Sequence, residues 1–344
     1  VITTYIRSSS YGSWDFCQLK YYLNYVLGLP DKPHNNKADR GNLCHKALEL
    51  LGKKKLACQQ NKLEFSESEI GKTWLVSDFT PEVAFREAWD YYVYVKTPYW
   101  DWNPKEYKTC QKIFNVALTA NNGQFNPLNG CILEPEQYFD FEIEEPWANY
   151  KFVNPYGSPE FIEGKLAVKG TVDLVSHSPD DQDVVLYTDW KTGQRKDWVT
   201  GKPKGFKSFR KDFQLRLYHY ALTRLYPNAK AIIITIFWLA DGGPFPIPFC
   251  RDDIPETMEL LKKRFLEISN CQKPTRIKPS FRCGWCYYDK QPFKHKDGTV
   301  SKENTCDFIH KELKQLGIDR VTSNYGDPSR LGKYGDGGGV TKRE

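Results

Sequence analysis

The order of apolar patterns along the 344-residue chain predicts a mixed α/β fold, a central sheet with helices on both faces. Three observations lead there. Helical periodicity recurs before about residue 122 and again after residue 212. Between these stretches lie three strand-like runs, EQYFDFEI, KLAVKGTVDLVS and DVVLYTDW. A fourth run, AIIITIFWLA, is short, β-branched and continuous, which fits a buried strand.

The elements follow in chain order. SSSYGSWDFCQLKYYLNYVLGL opens on serines suited to an N-cap and continues as an aromatic-rich amphipathic helix. ADRGNLCHKALELL predicts a second helix from about Ala38 to Leu51. Residues 52–122 carry helical patterns at TPEVAFREAWDYYVYV and NPKEYKTCQKIFNVALTA and are expected to be a helical insertion ahead of the sheet. Two strands, Leu166 to Ser176 and Asp183 to Trp190, flank a Pro/Asp-rich turn and are expected to be antiparallel neighbours. A basic loop, Arg195 to Lys211, leads into the helix DFQLRLYHYALTRLY, closed by Pro227. After the amphipathic IPETMELLKKRFLEIS, residues 271–310 are rich in loops and cysteines and are expected to pack on the N-terminal helix. One domain is expected over residues 1–316, followed by a mobile, Gly-rich basic tail at 317–344.

The 49 Lys+Arg against 43 Asp+Glu leave a net charge of +6, a mild bias that permits nucleic-acid binding. Aromatics are 15% of the chain, and YYVYVKTPYWDWNPKEYK interleaves them with basic residues, as stacking platforms for unpaired bases do; core packing accounts for such rings equally well. No apolar run reaches the length of a membrane span, and VITTYIRSSSYGSW lacks the regions of a secretory signal, so a cytoplasmic protein is expected. Ten cysteines in such a protein are not expected to form a disulfide framework, which leaves metal ligation open for some of them.

The stretch YTDWKTGQ carries the chemistry. Strand alternation places Asp189 and Lys191 on one face and Trp190 on the other. Alone, such a pair is an exposed ion pair of little consequence. The antiparallel neighbour, however, brings Asp173 of GTVD beside Asp189, and two carboxylates with a lysine at one sheet edge suit a hard divalent cation. Gln214 and Tyr218 share one helix face at i and i+4, and His45 lies on the early helix.

This ordered set, a helix histidine, G-x-x-D, D-x-K and Q-x-x-x-Y, resembles the RecB-type branch of the PD-(D/E)xK nuclease superfamily over roughly Ser8 to Cys306. The resemblance implies a restriction-endonuclease-like sheet. It also implies a divalent-metal-dependent DNA exonuclease that hydrolyses phosphodiester bonds in recombination or repair. Asp173, Asp189 and the backbone carbonyl of Trp190 are then expected to hold Mg²⁺ or Mn²⁺, with His45 a further ligand. Asp173, Asp189, Lys191, Gln214 and Tyr218 are expected as catalytic residues. Lys191 would position the attacking water or stabilise charge, and a lowered pKa would let it assist as a base. Glu136 is expected to support the site from behind. The expected substrate is DNA, single-stranded or with free ends, in a bacterial cell or phage-infected host. A structure-selective endonuclease, or a DNA-binding scaffold that has lost catalysis, are the alternatives. No G-x-x-x-x-G-K-[ST] occurs, so unwinding is expected from a partner, and a recombinase, annealing protein or helicase would fit.

FRCGWCYYDK carries a C-x-x-C unit, and Cys306 follows in NTCDF. WDFCQLKYYLNYV is similar to the first-cysteine segment of iron–sulfur-containing RecB-type nucleases, the CRISPR-associated ones included. The resemblance implies a 4Fe-4S cluster on Cys17, Cys283, Cys286 and Cys306. A zinc site on the same thiolates, or with His295 or His310 replacing one, and plain reduced cysteines remain alternatives. The long YYDKQPFKHKDGTVSKENT between the last two cysteines reads as a polar hairpin that loops out.

Overall fold

In the computed structural model the described residues are 1–31, 36–197, 201–240 and 243–331. The chain opens with β1 (Tyr5–Ile6), α1 (Ser8–Phe16), α2 (Gln18–Tyr21) and α3 (Asn36–Gln59). A hairpin of β2 (Glu64–Glu67) and β3 (Lys72–Leu75) precedes α4 (Pro81–Asp90) and α5 (Pro104–Thr119). Strands β4 (Cys131–Glu142), β5 (Asn149–Val153), β6 (Phe161–Lys165), β7 (Ala167–His177) and β8 (Val184–Lys191) follow. Then come α6 (Phe206–Arg210), α7 (Phe213–Leu225), β9 (Ala231–Trp238), β10 (Gly243–Phe249) and α8 (Ile254–Ser269). The chain continues through α9 (Tyr287–Lys290), β11 (Pro292–Lys294), β12 (Val300–Asn304), α10 (Thr305–Leu316) and α11 (Ile318–Tyr325). The fold is mixed α/β, with a central mixed sheet flanked by helices. No helix among the described residues is long and apolar enough to cross a membrane.

The chain divides into two compact units. The larger in contacts comprises His34–Tyr138 and Thr171–Ile254. Here Leu174 to His177 of β7 pair antiparallel with β8, as the Pro/Asp turn predicts. All eight residues of β8 then pair in parallel with β9, because α6 and α7 supply the crossover that parallel neighbours need. One apolar core packs α3, α4 and α5 with Trp190, Phe237 and Leu239. The other unit comprises Val1–Pro33, Phe139–Gly170 and Pro255–Glu344. It pairs β1 in parallel with the start of β7 and has its own core, which includes Trp14, Tyr21, Tyr22, Cys17, Cys286, Cys306 and Ile309.

Several expectations need correction. The first helix breaks at Cys17, whose extended backbone (φ −170°, ψ 122°) separates α1 from α2, and its N-cap is Arg7 rather than a serine. Residues 52–122 contain the β2–β3 hairpin as well as helices, and α3 runs on to Gln59. Strand β10 has no counterpart in the expected elements because GPFPIPF looks unfit for a strand. Pro244, Pro246 and Pro248 alternate, so their missing donors all fall on one side, and β10 ends the strand order, paired only with β9. Residues 318–325 of the expected tail form α11, while 332–344 lie outside the described residues. The expected polar hairpin is present as β11 and β12.

Gly170, the glycine of GTVD, is needed for a close approach. A Cβ there would stand 2.5 Å from Cζ of Phe139 and 2.8 Å from its Cε1. Gly170→Val is therefore expected to destabilise the protein by about 2 kcal/mol, the usual cost of overpacking a core. Urea unfolding followed by tryptophan fluorescence checks this, and Phe139→Ala in the same chain should recover part of the loss.

Candidate active site and thiol pocket

The active-site candidates all lie in the unit that holds β8. Gly41, His45 and Gly52 occupy one face of α3, four and seven residues apart. A Cβ on Gly41 would meet Thr192 Oγ1 at 2.9 Å, and one on Gly52 would meet Pro135 Cβ at 2.9 Å and Leu174 Cδ1 at 3.4 Å. The two glycines thus let α3 lie close to β4, β7 and the end of β8, with the histidine between them. His45 Nδ1 is 3.4 Å from Asp173 Oδ2, and the Trp190 amide donates to the same oxygen at 2.9 Å.

Glu136 joins this pair. Donor atoms of His45, Glu136 and Asp173 all lie within 4.8 Å of one another. The Glu136 backbone is left-handed (φ 51°), a conformation that costs a non-glycine residue about 1 kcal/mol or more and tends to mark functional positions. With this backbone its carboxyl lies among the other two donors. Burial, then the Asp173 and Glu49 carboxylates, raise the Glu136 pKa well above the usual range. Asp173 goes the other way: burial opposes its charge, but His45 and then Lys191 draw its pKa down. His45 loses charge to burial and regains more from Asp173, so its pKa is raised. Two adjacent carboxyl groups and an imidazole with this unequal charging suit a hard divalent cation with some nitrogen tolerance. Glu136 is the residue that sequence reasoning undervalued; its signal was only a glutamate ahead of a strand.

Asp189 is directed elsewhere. Lys191 Nζ lies 2.7 Å and 3.0 Å from its two oxygens, and the Tyr187 hydroxyl donates to Oδ1 at 2.8 Å. Burial and then Asp173 raise the Asp189 pKa, against Lys191 and Tyr187. Burial opposes the charge of Lys191, but the carboxylates of Asp189 and Asp173 more than offset this, and its pKa is raised. Lys191 donates to Asp189 as an ammonium group. Gln214 Nε2 donates to the Tyr218 hydroxyl at 3.0 Å, and the Tyr218 and Tyr187 rings meet edge to face at 5.5 Å. Burial, then Asp189, push the Tyr218 pKa up to about 12. Tyr187, missed in the sequence, follows from the same alternation that pairs Asp189 with Lys191. Trp190 is buried in the core, and it is its amide that engages Asp173.

A cleft of about 310 Å³ opens beside His45 and Lys191, with Asn42, Lys196 and Lys204 among its lining residues. Of the basic loop, residues 198–200 lie outside the described residues. Its stem is held by a bridge between Lys196 and Pro203, by the Arg195 guanidinium donating to the Lys204 carbonyl, and by Arg195 stacking 4.4 Å over the Phe245 ring.

In the other unit Cys17, Cys283, Cys286 and Cys306 line one pocket with Lys20 and Arg276. All four are free thiols. Burial, then the neighbouring Cys17, push the Cys306 pKa up to about 12, and burial raises that of Cys286. Neither His295 nor His310 lines this pocket.

The spacing between α3 and Thr192 yields a reciprocal test. Gly41→Ala is expected to weaken Mn²⁺ binding about tenfold by forcing His45 away from Asp173, as altered supports of metal ligands do. Thr192→Ala combined with it should restore most of the affinity. Isothermal titration of the two single variants and the double variant reads the coupling.

No curated protein matches the chain significantly. A family model described as the PD-(D/E)XK nuclease superfamily matches residues 9–291, a span that includes His45, Glu136, Asp173, Asp189, Lys191, Gln214 and Tyr218. With that match over most of its length and this fold beneath it, the chain belongs to the PD-(D/E)XK nuclease superfamily.

Proposed function

We propose that this protein is a divalent-metal-dependent DNA exonuclease of the RecB type, acting on single strands or DNA ends in recombination or repair. The observation that carries the reading is the convergence of His45, Glu136 and Asp173 next to the Asp189–Lys191 pair. His45, Glu136 and Asp173 would hold Mg²⁺ or Mn²⁺, with Asp189 and the Trp190 carbonyl as further candidates. When bound, the cation supplies Lewis-acid charge for the phosphoryl oxygens and the attacking water.

The protein's own groups do the rest. Hydrolysis breaks one P–O bond, adding hydroxide to phosphorus and a proton to the departing oxygen. Lys191, kept cationic by two carboxylates, stabilises the negative charge that develops on phosphorus oxygens. Asp189 aims the ammonium group, and Tyr187 holds Asp189. Gln214 and Tyr218 orient the strand or this pair from α7. Lys196 and Lys204 line the cleft where phosphates would pass, a mode of contact tolerant of base sequence.

The same reading assigns Cys17, Cys283, Cys286 and Cys306 to a 4Fe-4S cluster. Four thiols from distant parts of the sequence line one pocket, with Lys20 and Arg276 there to balance thiolate charge.

End-labelled linear and circular DNA, single- and double-stranded, incubated with Mg²⁺ or Mn²⁺ tests the activity. Linear forms should be degraded and circles spared. Asp189→Ala and Lys191→Ala should each lower the rate by about 10³-fold or more with the fold retained, and full activity in either variant would sink the assignment. For the thiols, anaerobic purification should give a brown protein with iron and acid-labile sulfide, both lost in Cys283→Ala. A colourless protein with stoichiometric zinc refutes the cluster and leaves the nuclease reading intact.

A further inference from the structure

One face of α5 has no part in the chemistry above. The helix buries Cys110, Phe114 and Ala117 on one side. On the other, Lys105, Lys108 and Lys112 are exposed at i, i+3 and i+7 and line a groove shared only with Pro104 and Thr109. They span about 10 Å along the helix. None of the three ammonium groups is ion-paired among the described residues. Glu106, the sole acidic residue of α5, does not neutralise them, because the Arg40 guanidinium holds it at 2.9 Å.

Two further features point to a ligand. The loop ahead of α5 is braced by the Trp102 indole, which donates to Thr97 Oγ1 at 3.0 Å, and by the Trp100 and Trp102 rings 4.0 Å apart. That bracing presents Tyr99, 60% exposed, on a fixed support, while Tyr94 in the preceding π-helical segment, Tyr91–Lys96, is 72% exposed. Such rings are costly to leave in water and suited to stacking. The Arg40–Glu106 pair also ties α5 to the start of α3, where Ala38, Gly41 and Asn42 line the cleft of Lys191.

We propose that Lys105, Lys108 and Lys112, together with Tyr99, form a tracking surface for the single-stranded part of the DNA substrate several nucleotides from the cleaved phosphate. The proposal rests on the nuclease reading and extends it to a surface outside the catalytic cleft. The lysines neutralise successive phosphates without reading sequence, and the tyrosine stacks a base. A strand long enough to reach both surfaces is held at two places, so release between cleavages slows.

The test is fluorescence anisotropy of labelled oligothymidine of about 5 and about 30 nucleotides with the full-length protein in EDTA, over a salt series. Lys105→Glu/Lys108→Glu/Lys112→Glu should bind the long strand about tenfold or more weakly and lower the slope of log K against log salt by about 2. Binding of the short strand, and its hydrolysis in a parallel assay with Mg²⁺, should stay within about twofold of the unaltered protein. The milder Lys→Gln triple variant should show a smaller loss of the same kind, and Tyr99→Ala should cost about fivefold on the long strand only. Unaltered long-strand binding in the triple variants overturns the tracking surface and leaves the nuclease assignment standing, and so does an equal loss at both lengths. A natural chain that binds neither strand overturns the tracking surface, and one that also hydrolyses neither with Mg²⁺ or Mn²⁺ overturns both readings.

Discussion

The separation between α3 and the strands beneath it governs the catalytic unit. Two glycines, Gly41 and Gly52, set it by leaving no room for side chains where Thr192 and Pro135 press up. Glycine inside a helix costs about 1 kcal/mol relative to alanine. The same helix buries Leu43, Leu48, Leu50 and Leu51 completely, each worth about 2 kcal/mol or more. The packing therefore outweighs the backbone cost, and His45 comes within reach of Asp173.

That closeness creates an electrostatic problem that the fold answers unequally. Glu136, Asp173 and Asp189 crowd one region, and they cannot all be ionised cheaply when buried together. His45 draws charge onto Asp173, Lys191 is committed to Asp189, and burial with the neighbouring carboxylates disfavours ionisation of Glu136. Glu136 is also the residue with the left-handed backbone. Strain and suppressed ionisation together describe a site stabilised for something other than the protein's own stability.

Much of this was legible in the sequence because strands and helices impose short periods. Period two linked Asp189 to Lys191, and the Pro/Asp turn implied the antiparallel register that brings Asp173 near. The i, i+4 rule joined Gln214 to Tyr218. What escaped depended on long-range packing or on backbone geometry. Glu136 acquires its place from a left-handed residue within β4, which side-chain pattern does not encode. The Lys191 pKa hinges on two carboxylates at close range outweighing burial, a balance that no residue count reveals. Strand β10 was hidden by prolines that are tolerated only because they alternate along an edge.

The thiol-bearing unit is assembled from three separate stretches of chain, the last beginning at Pro255, and its core includes Cys17 and Cys306. A ribosome makes the chain from its N-terminus, and domains tend to fold as they emerge. Every residue of the unit holding His45 and Lys191 is therefore made before Cys283, Cys286 and Cys306 exist. Cys17 is made 266 residues before Cys283, the first of its three companions. In the nascent protein the unit of His45 and Lys191 precedes the thiol pocket, so anything that occupies the pocket arrives after that unit has been made.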